Sequence, residues 1–249
     1  MLPVRFTMNN IDKIKNIKDI KKGLHDGIPI ALGYISVSFT FGIMGVSSGL
    51  SWWQTLLISM TNLTSAGQFA GLGIMVMAGG LVEMALTQFV INLRYALMSI
   101  SLSQKADASF NLPARLLAGF GITDEIFAVA ASKNRTVSKY YMAGLIITPY
   151  IGWASGTAAG ALLGEIIPET LSSALGIAIY GMFMAIIIPQ ARDNHKCLVV
   201  IIIAAVLSCC FRYIPLINNI SSGFVIIICA VLASVAGALL YPVDDGEEE

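Results

Sequence analysis

The stretch NLTSAGQFAGLGIMVMAGG, residues 62–80, runs directly into LVEMALTQFVINLRYALMSIS, residues 81–101. The first part is an apolar segment interrupted by Thr64, Ser65, Gly67 and Gln68. The second is long enough to cross a bilayer yet carries Glu83, Gln88, Asn92 and Arg94. Lipid tolerates neither an unwound backbone nor a charge unless protein or trapped water satisfies it. A broken helix followed at once by a charged one therefore predicts a membrane protein whose interior is a site as well as a packing core.

The composition points the same way. Of 249 residues, 56% are apolar and 12% charged, and the mean hydropathy is +0.78. These values predict an all-α polytopic membrane protein with one membrane domain. The formal net charge is zero, so no long-range field argues for nucleic acid. Cys197, Cys209, Cys210 and Cys229 lie in late apolar segments without zinc spacing, and are expected to be buried as small hydrophobes.

Residues 1–26 read as a basic N-terminal segment, 27–241 as the transmembrane domain and 242–249 as an acidic, disordered cytoplasmic tail. Ile11, Ile14, Ile17 and Ile20 alternate with lysines, which fits either a helix on the membrane surface or a basic tether. Six clean spans are expected: Gly27–Ser47 with Pro29 in its first turn, Leu81–Leu102, Tyr140–Leu163, Leu171–Pro189, Lys196–Phe211 and Ser221–Tyr241. Gly33, Gly42 and Gly45 make notches for close helix approach. Two segments are broken. Residues 52–80 divide into half-helices at Thr64–Gly67, and residues 112–132 are interrupted near Gly119–Gly121.

Basic residues cluster before Gly27, at Lys105 and Arg115, at Lys133–Lys139 and at Arg192–Lys196. If both broken segments re-enter, the first from outside and the second from the cytoplasm, all four clusters fall on one side. If both cross, there are eight spans. Both termini are cytoplasmic in either case. Interrupted segments of opposite entry are the pattern of an inverted-repeat transporter.

Arg94 is the sharpest chemical signal. A guanidinium at mid-helix costs about 2.5–3.5 kcal/mol on insertion scales, so it needs an anion. It reads either as a clamp for a substrate carboxylate or as half of an ion pair with Glu83, Asp124 or Glu125. On an ideal helix Glu83, Thr87, Arg94 and Ser101 share one face to within about 40°. Thr64, Ser65, Gly67 and Gln68 would let backbone amides approach a ligand, or serve as a small-residue helix contact. Thr123 or Asp124 suits a helix N-cap, with carboxylates in the first turn. Asp124, Glu125 and a buried Glu83 are candidate proton carriers. His25 and His195 lie in basic flanks and are expected to be solvated. There is no GxxxxGK[ST] run, no HExxH and no catalytic triad at membrane depth. No enzymatic activity, metal or cofactor is expected, and transport would draw on an ion gradient or run downhill.

Several runs together resemble the AzlC family, large subunits of bacterial branched-chain amino acid exporters. They are Gly27-x-Pro29-x-x-x-Gly33, Ser65-Ala66-Gly67-Gln68-Phe69, Asn92-Leu93-Arg94-Tyr95 with Leu97-Met98-Ser99 behind it, Thr123-Asp124-Glu125, and Gly152-Trp153-x-x-Gly156. The resemblance covers most of 27–241. It implies export of leucine, isoleucine, valine and methionine across the bacterial plasma membrane, driven by the proton motive force. It also implies a small AzlD-type membrane subunit as partner. Read from the residues themselves, Thr64, Ser65, Gly67, Gln68, Asn92 and Arg94 are the expected substrate-binding set. An anion or small-solute channel, and an assembly subunit with no pathway of its own, are the rival readings.

Overall fold

The computed structural model describes residues 3–134, 136–163, 184, 187–188, 191–215, 217 and 219–242. The expected span Leu171–Pro189 lies largely outside the described residues, and the acidic tail Asp244–Glu249 wholly so. The described elements are α1 (Pro3–Ser47), α2 (Trp52–Thr61), α3 (Ala66–Val76), α4 (Leu81–Lys105), α5 (Leu112–Gly121), α6 (Asp124–Ala131), α7 (Lys139–Leu163), α8 (His195–Tyr213) and α9 (Ser222–Leu240). Residues 13–47 of α1, together with α4, α8 and α9, are long and apolar enough to cross a bilayer. The chain is thus a polytopic all-α membrane protein. Helix α7 also has the length, at 25 residues. It buries Tyr141, Trp153 and Thr157 against protein, and a helix enclosed by protein need not be apolar all round.

The basic N-terminal segment is helical and continues into the first span without a break at residue 26. Pro29 therefore lies inside α1, not in a first turn. Helix α7 packs alongside, and Thr148 Oγ1 donates to the Leu24 carbonyl (3.2 Å), next to the His25 carbonyl that Pro29 leaves without its helical donor. Ile14 and Ile17 are exposed.

The chain forms two compact units, Met1–Gln68 with Asn92–Leu175, and Phe69–Ile91 with Gly176–Glu249. The spine of the first is the α1–α7 pair. A Cβ built at Gly23 would meet the Tyr141 carbonyl and Leu145 N, at Gly152 it would meet Ala31, at Gly156 Ile35 and Ser38, and at Gly160 Phe39. Residue numbers rise together on both helices, so α1 and α7 run parallel. Small residues let two backbones touch, which in lipid replaces the missing hydrophobic drive for association. Gly42 belongs to this contact, whereas Gly45 faces Thr55 of α2 and Gly33 faces open space, so Gly33 is no notch.

The second interrupted segment turns back on itself. Helix α5, at 10 residues, extends about 15 Å, half of a bilayer core. The chain reverses at Ile122–Thr123, and α6 brings it back. The two ends of this hairpin meet: Lys105 Nζ donates to the carbonyls of Ala131 and Lys133 (3.0 Å for the latter). Val137 N donates to Lys105 O (2.8 Å), and Asp107 N to Val137 O (3.0 Å). The same end carries Lys133 on Asp26 (2.8 Å) and Ser138 on Asp19 (2.6 Å). The Asp26 hydrogen bond holds the Lys133 pKa above the usual lysine range. Helix α2 starts beside the end of α1, where Gly45 faces Thr55, and descends along α7 until Tyr150 OH donates to Met60 O (3.0 Å). Gln68 Nε2 then donates back to Ser59 Oγ (2.9 Å), nine residues earlier. A continuous helix would put these residues roughly 13 Å apart along its axis, so the helix is broken at Asn62–Ser65 and the chain bends there.

A topological result follows. Single cysteines placed at Lys105 and Lys133 in a cysteine-free chain are expected to react with an impermeant thiol reagent from one and the same side. Labelling from opposite sides would mean that 112–132 crosses.

In the second unit α8 and α9 run antiparallel, with Gly237 late in α9 facing Val200 early in α8 (2.7 Å to a built Cβ). Of the cysteines only Cys229 is buried. Cys209 is exposed and Cys197 and Cys210 are half-buried, because α8 buries none of its residues. His25 and His195 are exposed as expected.

Candidate functional site

The second break builds its own anion-ready end. Asn111 Oδ1 caps α5 by accepting from Ala114 N (3.1 Å). Ile122 leaves the helix in an extended conformation. Thr123, also extended, caps α6 by accepting from Ile126 N (3.4 Å). Asp124 and Glu125 thereby occupy the first turn of α6, where the helix dipole favours negative charge.

Each carboxylate has a separate partner. Asp124 Oδ2 lies 2.6 Å from Arg94 Nη1. Glu125 Oε2 accepts from Tyr34 OH at 2.5 Å. The Tyr34 oxygen also lies 2.6 Å from Thr123 Oγ1, so Thr123 can donate to Tyr34 while Tyr34 donates to Glu125. Tyr34 is held by Trp153 of α7, edge to face at 5.2 Å between centroids. Trp153 is 2% exposed, and its Nε1 has no hydrogen-bond partner among the described residues.

Of the three partners expected for Arg94, the structure brings it to Asp124. Arg94 Nη2 donates to the Tyr95 hydroxyl (3.2 Å), and its guanidinium carbon sits 4.9 Å from the Tyr95 ring centroid. Arg94 Nε is buried without a partner among the described residues. The pair is not sealed: the side chains are 38% and 27% exposed.

The first break presents a second polar group. Ser59, Gln68 and Thr157 are all buried. Gln68 Nε2 bonds Ser59, and Ser59 Oγ lies 2.7 Å from Thr157 Oγ1. Gln68 Oε1 and Ser65 Oγ have no partner among the described residues. Ser65 itself sits at φ +46°, a left-handed conformation that a non-glycine residue adopts at a cost. Thr64 Oγ1 bonds Asn62 Oδ1 (2.8 Å), Gly67 is buried and Asn92 half-buried. Trp153 and Thr157 are one turn apart on α7, about 6 Å along its axis. Tyr34, which bonds the second break, and Ser59, which bonds Gln68 beside the first, therefore meet α7 at adjacent levels.

Glu83 does not sit at the mouth of its span in water. It is 6% exposed and accepts from Ser221 Oγ (2.6 Å) and Gly223 N (3.1 Å). It thus caps the N-terminus of α9 inside the second unit. Thr87 beside it is fully buried, whereas Ser101 on the same ideal face is exposed. Glu83→Ala is expected to leave the Ser221 hydroxyl and the Gly223 amide without an acceptor. The loss is about 1.5–3 kcal/mol of stability, readable as a lower melting temperature in detergent, with Glu83→Gln intermediate. An unchanged melting temperature in Glu83→Ala would remove the capping role.

Tyr34, Ser59, Trp153 and Thr157 were not among the residues marked out as site candidates. Ser59 is a hydroxyl inside an apolar half-helix, and Thr157 follows the Gly152–Gly156 run by one residue; both are weak local signals. No group of histidines, cysteines and carboxylates fit to hold a metal occurs among the described residues.

A family model described as AzlC protein matches residues 29–167, a range that includes both breaks and Arg94. An uncharacterized membrane protein of Archaeoglobus fulgidus is 32% identical over 70% of this chain and 77% of its own length. The inner membrane protein YgaZ of Escherichia coli is 27% identical over 87% of this chain and 90% of its own. A membrane protein of Helicobacter pylori is 24% identical over 60% of this chain and 66% of its own. No solved structure matches the chain.

Proposed function

The chain belongs to the AzlC family of membrane proteins, and from that premise we propose that it is a secondary transporter exporting branched-chain amino acids. The observation that supports this most is the pair of helix breaks beside buried polar atoms that no described residue satisfies, Ser65 Oγ and Gln68 Oε1 at the first and Arg94 Nε opposite the second. Irregular backbone at membrane depth is tolerated where it lines a pathway. An amino acid needs a cation for its carboxylate, an acceptor for its ammonium and an apolar wall for its side chain. Arg94, Asp124 and Gln68 offer the first two, and the spans around them the third.

The export direction, the plasma membrane of a bacterium with both termini in the cytoplasm, the proton motive force and a small AzlD-type partner subunit complete the proposal. They rest on the family. Glu83, Asp124 and Glu125 are the candidate proton carriers. Glu125 is the best placed of them, because its hydrogen bond to Tyr34 links the α6 break to α1.

Purified protein in liposomes, with and without the small partner, is expected to exchange labelled leucine against unlabelled leucine. A pH gradient should drive net leucine movement. Conductance without stoichiometric exchange would make it a channel, and neither activity would make it an assembly subunit.

A further inference from the structure

Arg94 and Asp124 hold on two helices the two charges that a free amino acid holds on one carbon. Their bond uses one nitrogen of the guanidinium and one oxygen of the carboxylate. Arg94 Nε is left without a partner among the described residues, and both side chains are partly open. The pair is therefore closed and reachable at once. Separating it with nothing to replace it would strand two charges at membrane depth, which is costly.

On the reading that this chain carries amino acids, we propose that the Arg94–Asp124 bond is a lock exchanged by the substrate and opened only by a zwitterion. The carboxylate takes the guanidinium in place of Asp124, with Nε as a donor that the resting bonds leave unused, and the ammonium takes Asp124. Both protein charges stay paired throughout, so the empty carrier remains shut and the loaded one opens. The ligand class is then the α-amino acid zwitterion. A 2-oxo acid with the same side chain would satisfy Arg94 and strand Asp124; the corresponding amine would do the reverse. Asp124, and not Glu125, is the exchanging carboxylate, because Glu125 is already held by Tyr34. Thr123, bonded to both Tyr34 and the α6 amide of Ile126, fixes the turn that aims the two acids apart.

The test is counterflow of labelled leucine in liposomes carrying the full chain. Unlabelled leucine, 4-methyl-2-oxopentanoate and 3-methylbutylamine are supplied on the opposite side at equal concentration. Leucine is expected to drive exchange, and each analogue to be weaker by about tenfold or more, the loss of one charge-assisted contact. Asp124→Asn is expected to weaken leucine by about tenfold or more and to narrow its advantage over the oxo acid. Should that variant fail to fold, the wild-type protein decides alone: leucine raises its melting temperature in detergent and neither analogue does. Exchange or thermal stabilisation by either analogue as strong as that by leucine overturns the lock. So does an Asp124→Asn protein with unchanged preference. Absence of any leucine exchange in the wild type is a different failure, of the transport reading itself, and the lock falls with it.

Discussion

Arg94→Met is expected to reach the membrane at the wild-type level and to lose leucine binding, by ten- to a hundredfold or beyond detection. The size follows from removing a charge-assisted bond to the substrate, about 1.5–3 kcal/mol. Misfolding is not expected, because the carboxylate left behind on Asp124 is 27% exposed and lies in the first turn of α6, where water and the helix dipole both support it. Arg94→Lys keeps the charge and loses the planar fork, and should fall between the two. The double variant Arg94→Met with Asp124→Asn separates a binding role from a structural one. If the pair only held α4 to α6, neutralising both partners would restore expression and transport together. Leucine transport in that double variant would end the assignment of Arg94 to the substrate carboxylate.

The second large effect is on assembly. Gly160→Val is expected to abolish folded protein, because its Cβ would lie against the Phe39 carbonyl and 2.8 Å from the Phe39 carbonyl carbon. Backbone cannot move aside as a side-chain tip can, so the helices must separate along their whole contact. Gly33→Ala is the control: nothing lies within 4 Å of its Cβ, and monodispersity and melting temperature should match the wild type. Intact, monodisperse Gly160→Val protein would show that the α1–α7 contact is not what holds the first unit together.

The sequence made the interruptions visible and hid their partners. The break expected at Thr64–Gly67 lies at Asn62–Ser65, and the cap expected at Thr123 or Asp124 is Thr123. Both are local: small and polar residues in an otherwise apolar run, and a hydroxyl ahead of two acids. The ends of α7, α8 and α9 were readable within two residues for the same reason. Which acid Arg94 meets was not readable, since Glu83, Asp124 and Glu125 were equally eligible by charge. Glu83 is out of reach, 11 residues from Arg94 on one continuous helix and so roughly 16 Å along its axis, and between the two remaining acids the selection is made by Tyr34 taking Glu125. That is a contact between residues 91 positions apart, and no periodicity reports it. Pro29 misled because proline ordinarily marks a helix start, whereas α1 runs through it with α7 packed alongside.

The parallel seam between α1 and α7 also sets a timetable for biogenesis. Tyr141 and Asp26, which bond across it, are 115 residues apart in the chain. At about 5–20 residues per second, a ribosome needs roughly 6–23 s to deliver Tyr141 after Asp26. For that interval the first span rests in the bilayer with its glycine face bare, next to whatever other newly inserted helices are at hand. A face so easily matched by small residues is open to the wrong neighbour during that wait. Slowing translation between the two helices should raise the fraction captured by the membrane's quality-control proteases, and this would occur with the finished protein's stability unchanged.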